Sequence, residues 1–179
     1  TLTKETNGIA TIIWDCEGKA MNIMTIDALQ ALNGLIDTAL ADDAIKGIII
    51  TSARPDFAAG MDLNVLGPMT SHAGRTPANA LFSAISGIHA ILRKIERASM
   101  DPQTNKGGKP VASVLPGTAL GIGYELPLAT HRIFAATNPK AKIGLPEIMI
   151  GIFPGAGGTT RLTRKMGAIA AAPYLLEGK

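Results

Sequence analysis

A chain of 179 residues is long enough to close one sizeable hydrophobic core, and with 46% hydrophobic against 17% charged residues it is too apolar to stay unfolded. Its net charge of +3 comes from scattered Lys and Arg with only 4% aromatic residues, which argues against nucleic acid, whose binding surfaces combine basic stripes with stacking rings. No apolar run reaches the ~18 residues of a bilayer crossing, TLTKETNG carries no leader pattern, and lone Cys16 with dispersed His72, His89 and His131 gives neither a disulfide nor a metal-ligand spacing, so a reducing, cytoplasmic setting without bound metal is expected.

Residues 8–15, rich in β-branched side chains, predict a strand that closes in the turn-like Cys16-Glu-Gly-Lys19. Thr25 is placed to cap a helix whose apolar stripe is Ile26, Leu29, Leu32, Ile36 and Leu40. Residues 46–52 form a continuous apolar run typical of a covered parallel strand, completing a strand-helix-strand unit. Residues 66–78 read as a loop, with Gly67-Pro68, Ser71, Gly74 and Pro77, before Leu81, Ile85, Ile88, Leu92 and Ile95 mark a second amphipathic helix. A polar break, DPQTNKGGK, leads to a buried-type strand at 110–115, and short Gly- and Ala-rich helices with a strand at 132–136 follow. This alternation predicts a single α/β domain over residues 1–179, with a mostly parallel sheet wound into layers; no repeat is evident in the sequence itself.

Three glycine-bearing segments each read as following a strand: 57–62 (FAAGMD), 119–125 (ALGIGYE) and 153–159 (FPGAGGT). Such turns leave backbone N–H groups pointing outward, and glycine admits a ligand close to the chain, although any one of these glycines could equally serve only a tight turn or helix contact. A dinucleotide fingerprint fails: Gly121-Ile-Gly123 lacks its third glycine, and Gly155-Ala-Gly157 has no acid at the ribose-binding distance. Glu125 and Glu147 stand in apolar surroundings, where burial disfavours ionisation and fits a carboxyl for proton transfer; the alternative is a structural role, such as a pair with Arg132. Glu5, Glu17, Glu96 and Glu177 read as solvated.

Taken in order, Lys19-Ala-Met-Asn22, Phe57-x-x-Gly-x-Asp62, Ala-Leu-Gly-x-Gly-x-Glu125 and Leu-Pro-Glu147 running into GIFPGAGGT resemble the crotonase superfamily, the enoyl-CoA hydratases and isomerases, and in particular the hydratase part of bacterial multifunctional fatty-acid oxidation proteins. The resemblance covers nearly the whole chain. It implies a spiral of repeated β-β-α units, here lacking the C-terminal helical region that family members carry beyond the position of Lys179, and a chain that is a homo-oligomer or part of a larger multifunctional protein. It implies hydration of the trans-2,3 double bond of acyl-CoA thioesters in β-oxidation with no cofactor besides the coenzyme A of the substrate; an enoyl-CoA isomerase or a non-catalytic acyl-CoA-binding module are the alternatives. By the same resemblance the amides of Met61 and Ile122 converge on the thioester oxygen, Glu125 and Glu147 hold the water, and Gly155 shapes the water site. Coenzyme A then lies along Lys19, Ala20, Ala59, Gly60, Asp62 and Leu63, near Gly121 and Pro146, with the acyl tail towards residues 66–80.

Two departures stand out. Ile122 replaces the glycine of most members, and a β-branched side chain there is expected to narrow the pocket or twist the amide. The two acids lie 22 positions apart, slightly more than in single-domain hydratases, with Asn138-Pro139 as the expected extra turn.

Overall fold

The computed structural model describes residues 1–65 and 76–178. In chain order the elements are β1 (Leu2–Lys4), β2 (Ile9–Trp14), α1 (Ile26–Ala41), β3 (Gly47–Ser52), a turn of 3-10 helix (Leu63–Val65), α2 (Pro77–Arg97), β4 (Val111–Leu115), β5 (Ala119–Leu120), α3 (Ile122–Leu128), β6 (Arg132–Ala135), β7 (Ile143–Gly144), a second 3-10 helix (Pro146–Ile150), α4 (Gly158–Met166) and α5 (Ala168–Leu176). The β-branched runs pair in parallel as β2-β3-β4-β6, with Ile12 beside Ile50 and Ile50 beside Ser113. β1 adds an antiparallel edge to β2, an element too short and polar for any periodicity to announce.

After each of the four parallel strands the chain lays down a short extended segment in a second layer. The Ala59 amide donates to Asn22 O at 2.9 Å and the Met24 amide to Gly60 O at 2.8 Å; the Leu120 amide donates to Ala58 O at 3.0 Å, and β5 pairs in parallel with β7. Strand, extended segment and helix thus recur, giving the expected β-β-α spiral even though no residue pattern repeats. Asn22 joins the layers: its buried side chain accepts from the Cys16 amide at 2.8 Å and donates towards Trp14 O, Ser52 Oγ and Phe57 O at 2.9–3.1 Å.

The main core closes Ile12, Ile48, Ile50 and Leu115 of the sheet against Leu29, Leu32 and Ile36 of α1 and Ile88, Leu92 and Ile95 of α2. Thr25 caps α1 as expected, accepting from the Ala28 amide at 3.1 Å. α2 starts four residues before Leu81, because Thr76 caps it and Pro77, whose missing N–H costs nothing there, opens its first turn. A smaller cluster of Leu128, Leu145, Leu162 and Ala171 fixes the last helices. Residues 66–75, where most of the expected loop and the acyl-tail contacts fall, lie outside the described residues.

Candidate active site

Two of the glycine segments meet edge to edge in the second layer. Gly60, at φ +111°, and Gly121, at φ +57°, occupy backbone conformations that side-chain-bearing residues rarely adopt, and a Cβ on Gly121 would lie 3.8 Å from the Gly60 Cα. Met24 bonds to Gly60 O and to the Asp62 amide on either side of Met61, and the alternation of a parallel bridge turns the Met61 amide to the opposite side. Ile122 opens α3, and an amide at the first helical position has no acceptor within its helix.

Both acids stand next to this junction. Glu125, one turn into α3, is only 2% exposed, and its Oε1 accepts from the Ala156 amide at 2.9 Å and the Gly158 amide at 2.7 Å. Burial pushes its carboxyl up to about 7; the Gly158 amide opposes this, the charge of Glu147 adds to it, and the Ala156 amide and Arg161 oppose it. Glu147, in the 3-10 helix after β7, is 8% exposed, and its Oε1 lies 3.3 Å from the position of a Cβ on Gly121. Burial raises its pKa as well, only its own backbone amide pulls the other way, and its buried Oε2 has no hydrogen-bond partner among the described residues. Two buried carboxyls, both with raised pKa, thus flank two glycine turns with outward amides, a set able to stabilise a developing oxyanion and to move protons beside it.

The sequence profile of the enoyl-CoA hydratase/isomerase family matches residues 4–179. The chain belongs to this family. It is 32% identical over 179 residues to the fatty acid oxidation complex subunit alpha of Shewanella halifaxensis, covering 99% of this chain but 23% of that protein, so the chain spans about a quarter of the length of such curated relatives. Among solved structures, an enoyl-CoA hydratase from Thermoplasma volcanium superposes with TM-score 0.81 at 28% identity, over 100% of this chain and 64% of that one. One from Bacillus anthracis does so with TM-score 0.79 at 28% identity, over 100% and 62%.

In this enoyl-CoA hydratase/isomerase family member the expected site residues fall in three groups. Gly60, Met61, Gly121, Ile122, Glu125 and Glu147 come together as described, with Pro146 opening the turn that carries Glu147. Ala59, Asp62 and Leu63 line the segment bonded to residues 22–24, Ala59 and Leu63 being exposed, whereas Lys19 and Ala20 occupy the exposed turn that Asn22 anchors. Gly155 does not itself reach Glu125: its carbonyl lies 2.6 Å from His89 Nε2, and the donors to Glu125 are the next amide and that of Gly158.

Several expectations are corrected. The Ile122 side chain, 5% exposed, packs into the main core, so it does not narrow the junction. Arg132 donates to His131 O rather than to Glu125. Glu96 is half-buried, not solvated; burial would raise its pKa, but the hydrogen bond from Arg93 and the charge of Arg161 lower it overall. The segment 153–159 follows a 3-10 helix rather than a strand. Asn138-Pro139 lies on the exposed link between β6 and β7. The amides of Ala156 and Gly158 were not among the candidates, since a backbone donor has no side-chain signature; only the Gly-rich run hinted at them.

Proposed function

We propose that the chain hydrates enoyl-CoA thioesters, the observation that supports this best being two buried carboxyls of raised pKa beside the paired Gly60-Met61 and Gly121-Ile122 turns. The thioester oxygen lies between the Met61 and Ile122 amides. One carboxylate takes a proton from water as the water oxygen bonds to C3; the double-bond electrons shift towards C2 and the thioester oxygen, and the second carboxyl delivers a proton to C2. Donors aligned on the developing oxyanion are worth ~10²–10³ in rate apiece and general acid–base catalysis ~10²–10⁴. Both acids are used, and the step calls for no cofactor beyond the substrate's own coenzyme A.

Lys19, Ala20, Ala59, Asp62 and Leu63 bind the coenzyme A portion, and residues 1–179 work as one crotonase-like unit. The family and the fatty acid oxidation relative support a place in β-oxidation, within a multifunctional protein or a homo-oligomer. Loss of absorbance of crotonyl-CoA, with identification of 3-hydroxybutyryl-CoA, tests the proposal. Conversion of a 3-enoyl-CoA to its 2-enoyl isomer without hydration identifies an isomerase instead, and tight acyl-CoA binding without turnover a binding module.

A further inference from the structure

We propose that His89 is a positioning residue for Glu125, acting through the single peptide group that joins Gly155 to Ala156. The proposal rests on the role of Glu125 in proton transfer given above. His89 Nε2 lies 2.6 Å from Gly155 O, and because a carbonyl only accepts, this nitrogen carries the proton and donates. The same planar peptide presents its other end, the Ala156 N–H, to Glu125 Oε1 at 2.9 Å. Hydrogen bonds at the two ends of one amide polarise each other, strengthening each by roughly 10–30%.

The next carbonyl is held as well. Arg161 Nη1 donates to Ala156 O at 2.9 Å, and Arg161 Nε stands 3.5 Å from Glu96 Oε1, while Glu96 is bonded by Arg93 at 2.6 Å. Helix α2 therefore grips two successive carbonyls of the turn, one directly through His89 and one through Glu96 and Arg161. The turn sequence, PGAGG, has almost no side chains of its own to fix it. Its two inward amides stay aimed at Glu125 only if its carbonyls are restrained from outside. The charged groups facing Glu125 are Glu147, from the second 3-10 helix, and Arg161, from α4; α2 contributes Arg93 and Glu96, linked to Arg161. His89 itself is exposed, so replacing it opens no hole in the core.

The test compares His89→Gln, whose terminal amide keeps a donor, with His89→Leu, which has none. The readout is the titration of the Glu125 carboxyl in infrared difference spectra of glutamate-labelled protein, assigned by its loss in Glu125→Gln. His89→Leu is expected to raise the Glu125 titration by about half a pH unit and to lower kcat roughly three- to tenfold, with KM within about twofold and an unchanged melting temperature. His89→Gln is expected to restore both. An unshifted Glu125 titration in His89→Leu, or equal shifts in the two variants, overturns the proposal. A wild-type protein that turns over no enoyl-CoA overturns the proposed function instead, and the carboxyl titration then still decides whether His89 positions Glu125.

Discussion

Glu125 and Glu147 sit in similar apolar strings, yet the two regions that hold them differ in how they treat a buried carboxyl. Glu125 lies in α3 over the main core, and a neighbouring turn aims two amides at one of its oxygens. Glu147 lies in a single 3-10 helix whose neighbours Met149 and Phe153 are 72% and 74% exposed, and one of its oxygens has no partner among the described residues. A buried polar atom left without a partner costs about 1–3 kcal/mol, so the Glu147 setting is the less favourable of the two, while two amides hold one Glu125 oxygen in place. Burial is the largest cause of both raised pKa values; the hydrogen-bond partners are what differ between the two acids.

The sharpest way to break this contrast is to remove each carboxyl in turn. Glu147→Gln and Glu125→Gln are each expected to lower kcat for crotonyl-CoA hydration by ~10²–10⁴, and the double variant by less than the product, as measured by steady-state kinetics on folded protein. Next come steric probes aimed at one acid each. Gly121→Ala places a Cβ 3.3 Å from Glu147 Oε1 at a positive φ and disturbs the amide junction, so a loss of ~10²–10³ in kcat is expected. Gly158→Ala places one 2.9 Å from Glu125 Oε1 and is expected to reduce kcat by roughly tenfold, with the pH profile displaced. If the two alanine variants behave alike, the acids are not held differently.

A smaller effect concerns stability. Because folding raises the Glu125 carboxyl from an ordinary 4.5 to about 7, the folded state holds a proton that the unfolded chain releases. This contribution is complete below about pH 4.5 and is lost as pH rises through about 7. Glu125→Gln does not titrate, so relative to wild type it should gain stability on going from pH 5 to pH 8, by up to about 3 kcal/mol in chemical denaturation. The smallest effect is expected at the exposed Lys4–Asp42 pair, where Lys4→Ala should leave kcat and melting temperature essentially unchanged.

The elements that could be read in advance are those whose cause is local. β2, β3 and β4, the Thr25 cap and the stripes of α1 and α2 follow from residues within a few positions of one another, because side-chain period and capping are neighbour effects. Glu125 and Glu147 also stood out, since a carboxylate among apolar residues must be buried or paired. The Thr76-Pro77 start of α2 was missed although its signal is local, because the loop-like residues before it drew the helix boundary to the first strong apolar position.

What the sequence by itself determined is the set of periodic elements, the apolar setting of the two acids and the glycines able to turn at positive φ. Only the tertiary structure decided that Gly60 meets Gly121, that Ile122 turns its side chain into the core, that Glu96 binds Arg161, and that the Ala156 and Gly158 amides face Glu125. Those contacts join positions 30 to 70 residues apart, and the donors in several of them are backbone amides that every residue carries. Their directions are set by how the strands, the second layer and α2 pack, which no stretch of sequence specifies alone.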